Sequence, residues 1–381
     1  MPVASPSPFA VTHDEQAREK ASASLRKFVS GPLMVAHRQV YDRATLPAFT
    51  KTHGRAPDRW ELQTLWETTA PYAMRSALRR IAQEDMYEVG GEIVERQLPD
   101  LIETARKTAR GKTKGSLRLN PAVAAPSYLT AVDIHCMPGN YHTELTDDDV
   151  YAGALYDRTI TSHAYKGRNN DEVGTCLAAF VERNFPGLKP KRILDMGCTV
   201  GHSTFGIAQV FPDAELHAID VAAPCLRWGH VRAEAAGVPV HFSQQNAEKT
   251  DFPDGHFDLV LSVIILHETS GKAIRNIFRE AKRLLRPGGV MAHCESRQYY
   301  AKDEFGAAWH RWGTKFNAEP FMTTMHELEL QSVAVESGFA RAKSFPQTPM
   351  LATMNADLTI ADNGPAPKTY AQSLYVNGAV K

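Results

Sequence analysis

The stretch Ile193-Leu194-Asp195-Met196-Gly197-Cys198-Thr199-Val200-Gly201-His202-Ser203-Thr204 decides how this chain reads. An apolar run ends near an acid, two glycines stand four residues apart, and residues that suit a helix follow. That order spells strand, tight turn, helix, and such a turn commonly cradles a ligand. The alternation repeats on either side. "DEVGTCLAAFVERNF" (171–185) reads as a helix broken by Pro186-Gly187, and "RILDM" (192–196) as a buried strand. A helix over 201–210 ends at Phe211-Pro212, and "ELHAID" (215–220) is the next strand. "APCLRWGHVRAEAAG" (223–237) is a helix with Pro224 near its start and Gly237 at its end. "PVHFSQQ" (239–245), "FDLVLSVIIL" (257–266) and "VMAHCE" (290–295) are further strands. Ile274, Ile277, Phe278, Ala281 and Leu285 mark an amphipathic helix stopped by Pro287-Gly288-Gly289. Strands alternating with helices predict a doubly wound, mostly parallel α/β sheet covered on both faces.

The flanks read differently. From Asp14 to about Ala109 the pattern is helical, with four or five helices and almost no strand. Met74, Ala77, Leu78 and Ile81 make one apolar stripe, and Asp58 is placed to cap the helix starting "RWELQTLW". The run "RKTARGKTKGSLR" (106–118) carries six bases and no acid. It reads as a solvated linker, or alternatively as a site for a phosphorylated or carboxylated substrate. Late in the chain, "HELELQSVAVESGF" (326–339) reads as a helix. "ARAKSF" (340–345) and "TYAQSLYV" (369–376) read as strands around a long excursion, 347–368.

Composition narrows the classes. The 381 residues hold 43 basic and 43 acidic side chains, a balance that gives no pull toward nucleic acid or an anionic membrane. Mean hydropathy is −0.33, and no apolar run approaches a membrane span. The N-terminus lacks the charged start and apolar core of a secretory signal. Five scattered cysteines without a CxxC pair predict neither a disulfide framework nor a zinc site, and fit a reducing cytoplasm. No Asp/His/Cys cluster has metal-ligand spacing, so no metal is expected.

Three ligands compete for the glycine turn. A P-loop needs GxxxxGK[ST], but here the glycines stand one residue too close and His202 replaces the lysine. A dinucleotide turn needs GxGxxG, and Thr199 puts a side chain where a pyrophosphate needs bare backbone. The third pattern, Asp195-x-Gly197-x3-Gly201, carries its acid inside the motif. "ILDMGCTVG" resembles the first motif, hhDhGCGxG, of the class I S-adenosylmethionine-dependent methyltransferases, with Thr199 where glycine is commoner. "LHAID", ending in Asp220, resembles the strand whose acid holds the ribose hydroxyls in that family. "QQNAEKTDFPDGHFDLVLSVIILHE" is similar to its DAExLPFxDxSFDxVxSxxxLHH, with Asn246 in place of the aspartate. "IFREAKRLLRPGGVM" resembles the helix and turn before the fifth strand. The four motifs stand in register over about residues 172–300, a third of the chain, and look most like the small-molecule, ubiquinone/menaquinone-methyltransferase group.

The resemblance implies a seven-stranded Rossmann-like sheet at residues 126–381, preceded by an all-helical domain at 1–125 that acts as lid, substrate cover or dimerisation unit. It implies S-adenosylmethionine as cofactor, held by Asp195, Gly197, Cys198, Thr199 and Gly201 in the turn. Asp220, Val221, Asn246, Ala247 and Ser262 at the later strands would complete the site, with Tyr156 from the segment that lids it. His267, at the end of the fourth strand, resembles the base of small-molecule O-methyltransferases, with Glu268 as the alternative. Acceptor contacts are expected from Tyr141 and His142 and from Tyr299, Tyr300, Trp309 and Trp312, and His310 and Arg311 suit an acidic group. For the aromatic residues of 295–321 a seam with the N-terminal helices is the competing reading. The reading that results is O-methylation of a small-molecule acceptor, with no nucleic-acid or membrane partner and with a homodimer as one role of the helical domain. A macromolecular substrate, a nitrogen, sulfur or carbon acceptor, and a non-catalytic binding module are the alternatives.

Overall fold

The computed structural model describes residues 9–164, 171–299 and 302–381; of the expected site residues, Tyr300 lies outside these. Its frame is one sheet. The strands are β1 (Ser116–Arg118), β2 (Arg192–Met196), β3 (Glu215–Asp220), β4 (His241–Gln244), β5 (Phe257–Val263), β6 (Leu285–Glu295), β7 (Ser344–Pro349) and, after the short pair β8 (Thr353–Met354) and β9 (Ile360–Asp362), β10 (Tyr375–Val380). The sheet order is β1-β4-β3-β2-β5-β6-β10-β7. Pairing is parallel from β1 through β6, and β10 runs antiparallel to both β6 and β7. The chain moves outward from β2 to β3 and β4, then returns to β5 on the other side of β2. That reversal opens a crevice at the carboxyl ends of β2 and β5, where such sheets bind ligands.

The helices are α1 (His13–Ser30), α2 (Pro32–Val40), α3 (Leu46–His53), α4 (Arg59–Glu67), α5 (Ala70–Glu95), α6 (Leu98–Arg110), α7 (Ser127–Thr130), α8 (Tyr151–Thr159), α9 (Glu172–Asn184), α10 (His202–Val210), α11 (Ala223–Ala236), α12 (Gly271–Leu284), α13 (Glu304–Phe316), α14 (Met322–Glu327) and α15 (Leu330–Glu336). Two apolar layers lie against the sheet. One joins α9, α10 and α11 to it through Phe180, Ile207, Leu226 and Phe242. The other joins α12 and α15 through Ile277, Phe278 and Val333. The Asp58 cap is present, accepting from Trp60 N at 2.8 Å and Glu61 N at 2.9 Å while Glu61 accepts from Asp58 N at 3.0 Å.

Four expectations need correction. The sheet has eight strands, not seven, because the end of the basic run joins its edge as β1. The Glu234 carboxylate at the end of α11 accepts from Lys114 N at 2.9 Å and Gly115 N at 2.8 Å, which holds the run against β4. Only glycine fits at 115, since a Cβ there would stand 2.1 Å from the Val240 carbonyl oxygen. The run's two end arginines find acidic partners: Arg106 bonds Asp148 at 2.9 Å and Arg118 bonds Asp251 at 2.5 Å. Second, the α5 stripe faces outward. Met74 and Ile81 are each 51% exposed, while Tyr72, Arg75, Ser76, Gln83, Met86 and Tyr87 are buried. Periodicity marked an apolar face, but α5 meets its neighbours on the other side, where Trp312 Nε1 donates to Ser76 Oγ at 3.1 Å. Third, the late helix is split at Leu328-Glu329, and Glu329 caps α15 by accepting from Gln331 N and Ser332 N. Fourth, the last strands start later than expected, and the excursion between them is pinned to α9. There Arg183 donates to Met350 O at 2.8 Å and Asn184 Oδ1 accepts from Met354 N at 2.8 Å.

Candidate active site

β2 delivers the glycine turn to the crevice. Gly197 N and Cys198 N donate to Ile219 O at 2.8 and 3.0 Å, and Gly201 N donates to Cys198 O at 2.8 Å, so the turn is closed by its own backbone and by β3. Gly197 and Gly201 have φ of +74° and +79°, and Thr199 between them is also left-handed at +49°. Asp195 is 2% exposed and lies beneath the turn. It accepts from Thr204 Oγ1 at 2.6 Å, which ties β2 to the first turn of α10. Burial pushes its carboxyl up to about 7.

The neighbouring strand ends present the polar groups. Asp220 closes β3, partly exposed, and accepts from Thr199 N at 3.0 Å and Ala222 N at 2.9 Å. Burial raises its pKa and these backbone donors oppose the rise. A carboxylate has about four acceptor positions, so two remain for a ligand. Asn246, past β4, is partly exposed, and its Oδ1 accepts from Glu248 N at 2.8 Å. Val221 receives Gln244 Nε2 on its carbonyl at 3.0 Å. Cys198 and Ala247 are each 8% exposed and belong to the apolar layers. Ser262 is fully buried, paired with His293 Nδ1 at 2.8 Å between β5 and β6. Tyr156 of α8 stands 6.0 Å from the His202 ring and 5.7 Å from the Tyr141 ring. Beside them is a buried group that sequence patterning missed: Asp157 lies 3.0 Å from His202 Nε2 and 3.2 Å from Arg232 Nε, and accepts from Trp228 Nε1 at 2.9 Å. It ties α8 to α10 and α11.

On the other side of the crevice, Ile264 adopts φ +57°, costly for a β-branched residue. The chain bends there as β5 ends. Ile265 then lies directly on Gly197, where an added Cβ would stand 2.1 Å from Ile265 Cδ1. Two residues on, His267 is 3% exposed, and its Nδ1 lies 2.8 Å from Glu295 Oε2. The other Glu295 oxygen accepts from Leu266 N at 2.7 Å. His267 Nε2 faces Glu268 Oε1 at 3.4 Å and Glu319 Oε1 at 3.9 Å. Glu268 Oε1 also meets His135 Nε2 at 2.7 Å. Asn317 donates to His135 Nδ1 at 2.8 Å and Glu319 Oε2 at 2.6 Å, and receives Arg79 at 2.8 Å. Burial alone would pull the His267 pKa down, but Glu295 and Glu268 outweigh it and raise it well above the usual histidine value. His135 is raised by the same balance, through Glu268 and Glu319. Sequence patterning did not single out His135, Glu295, Glu319 or Asn317. They come from separate segments, with no local motif joining them to His267.

Of the expected acceptor residues, the two tryptophans go elsewhere. Trp312 is fully buried, and with Trp309, Phe305 and Phe316 it packs against Tyr41, Leu62, Trp66 and Tyr72. The seam with the N-terminal helices takes up both tryptophans. Tyr299 is 1% exposed, its ring stacked on His326 at 4.8 Å. Tyr141 and His142 are partly buried. Burial and the nearby Glu268 carboxylate raise the Tyr141 hydroxyl well above its usual range.

Comparison with known proteins is consistent with this geometry. Residues 193–289 match a family model described as a methyltransferase domain. Demethylmenaquinone methyltransferase of Thermus thermophilus is 34% identical over 108 residues, 28% of this chain and 47% of its own. Fatty-acid O-methyltransferase of Mycolicibacterium smegmatis is 30% identical over 118 residues, 31% of this chain and 42% of its own. The chain thus spans less than half the length of these two relatives. Among solved structures, phosphoethanolamine N-methyltransferase 2 of Haemonchus contortus aligns at 19% identity and a TM-score of 0.34, over 45% of this chain and 37% of that one. The motif order, the sheet order and the matching family model together place residues 193–289 among the class I S-adenosylmethionine-dependent methyltransferase domains.

Proposed function

We propose that the protein transfers a methyl group from S-adenosylmethionine to an oxygen of a small-molecule acceptor. One observation carries this reading: Ile265 packs on Gly197, so the cofactor turn and the His267 cluster share one crevice. The donor set fits the cofactor. Glycines at 197 and 201 leave backbone open to the methionine portion, Asp220 keeps two acceptor positions for ribose hydroxyls, and Asn246 offers an amide to adenine. When bound, the sulfonium supplies an electrophilic methyl, and the C–S electron pair stays with sulfur as the acceptor's lone pair takes the carbon. The chain then has to align the acceptor, exclude water and remove the hydroxyl proton. We assign that proton to the Glu268 carboxylate, since Glu295 and Glu268 keep the neighbouring His267 imidazole in its protonated form, with Glu295 fixing that imidazole. The N-terminal helices cover the acceptor side, as the Arg79–Asn317 contact supports, and residues 1–125 act as that cover. Their outward apolar side chains, among them Phe28, Val35 and Val40 at 46%, 51% and 57% exposure, support a homodimer. Five unpaired cysteines support a cytoplasmic location.

The test follows release of S-adenosylhomocysteine with phenol, carboxylic acid, amine and thiol acceptors. Turnover is expected with oxygen acceptors, and Glu268→Gln should lower kcat by about 10²- to 10⁴-fold. Turnover confined to amines or thiols contradicts the oxygen assignment.

A further inference from the structure

Four side chains from three separate segments converge beside the cofactor turn. His135 comes from the turn before residue 137, His267 and Glu268 from the turn after β5, and Glu319 from the residues after α13. One donor atom from each lies within 4.8 Å of all the others. Four donors around one ion at about 2.1 Å stand about 3.4 Å apart in a tetrahedron, and closer when more positions are filled. The observed separations bracket that value: 2.7 Å for His135 Nε2 to Glu268 Oε1, 3.4 Å for His267 Nε2 to Glu268 Oε1 and 3.9 Å for His267 Nε2 to Glu319 Oε1. The four donors span up to 4.8 Å, so the widest pair has to close by about 1 Å around an ion.

Two further observations favour a metal over a plain hydrogen-bond cluster. The Glu295 carboxylate, fully buried, holds His267 Nδ1 at 2.8 Å, which aims Nε2 at the cluster. A carboxylate behind a ligating imidazole is the usual support of a metal-bound histidine. Glu268 Oε2 is buried and has no hydrogen-bond partner among the described residues. That acceptor is left over after the protein's own donors are spent, and unpaired buried acceptors are uncommon.

We infer that His135, His267, Glu268 and Glu319 bind one divalent first-row transition-metal ion. Two imidazoles and two carboxylates suit Zn2+, Mn2+, Fe2+ or Co2+ rather than Ca2+, which takes oxygen ligands. When Nε2 takes the ion, His135 Nδ1 carries the proton, and the Asn317 amide has to turn away from its present bonds to Arg79 and Glu319 to accept it. Binding stands independently of methyl transfer, but the ion's role rests on that reading: it would lower the pKa of an acceptor hydroxyl, and with His267 Nε2 on the ion the proton would pass to Glu268 Oε2 while the O–H electron pair stays on oxygen.

The test is titration of metal-free protein with Co2+, followed by its visible ligand-field absorption, with S-adenosylhomocysteine titrated separately by calorimetry. One Co2+ per chain is expected. His135→Ala and Glu319→Gln, checked for folding by circular dichroism, should bind at least about tenfold more weakly, and Glu295→Gln about 10- to 100-fold more weakly. No saturable Co2+ binding overturns the inference, as does unchanged affinity in the variants, which would put the ion on other histidines. Loss of S-adenosylhomocysteine binding alone sinks the methyltransferase reading and leaves the metal site standing.

Discussion

Thr199 holds a backbone conformation that favours glycine, at φ +49° between two left-handed glycines. A β-branched residue there costs about 1–2 kcal/mol, so Thr199→Gly should raise stability by about 1 kcal/mol, measured by urea unfolding. A loss would mean that the threonine side chain makes a contact outweighing the strain. His293 supplies a second prediction. Burial pushes its pKa down to about 3 from an unfolded value near 6.5. The unfolded chain therefore binds more protons between those values, and this histidine's contribution to stability falls as pH drops below 6.5. Relative to His293→Gln, the native chain should lose about 1.6 kcal/mol between about pH 6.5 and pH 5, the slope approaching about 1.4 kcal/mol per pH unit at the acid end. Parallel unfolding curves for the two proteins across that range would contradict it. Asp195, Gly197, Gly201 and Asp220 were legible because their chemistry sits inside one strand–turn unit or at the end of the next strand. His135 and Glu319 were not, since only tertiary folding brings them to His267, and nothing local announces the left-handed φ of +58° at His135.

Helices α9 and α10 meet through glycine. A Cβ at Gly174 would stand 1.9 Å from Ser203 O, and one at Gly206 would stand 2.0 Å from Asp171 O. Each contact is with backbone, which cannot step aside. Gly174→Ala should therefore destabilise by about 1–3 kcal/mol, the usual cost of overpacking, and it should move α10, whose first turn Asp195 anchors. A thermal melt of that variant indistinguishable from the parent's would show that the helices separate freely. β2, β5 and the second half of β6 were readable because each is an apolar run beside turn residues, although β6 already begins at Leu285, before the Pro287-Gly288-Gly289 stop. β1 was not, being a three-residue edge strand in a basic run whose place is fixed by Glu234 and Val240. The outward stripe of α5 shows the same limit: periodicity marks a face, but the neighbours decide which face is buried.

At the scale of the whole molecule, the N-terminal helices are joined to the sheet half by an aromatic seam. Trp312 is fully buried there among Tyr41, Trp66, Tyr72 and Phe305. Trp312→Ala should cost about 3–5 kcal/mol and separate thermal unfolding into two steps as the helices detach. A single unshifted transition would show that the seam does not couple the two parts. The division between helical and sheet regions was visible in the sequence, but the partners across the seam were not, because aromatic residues carry no address. The central claim, that the Gly197 turn with Asp220 holds S-adenosylmethionine, is tested most directly by calorimetric titration of S-adenosylhomocysteine into the native protein and Asp220→Ala. Saturable binding that weakens at least about tenfold, or about 1.4 kcal/mol, in a folded variant is the predicted result. No binding to the native protein up to millimolar ligand, or equal affinity in the two proteins, would contradict it.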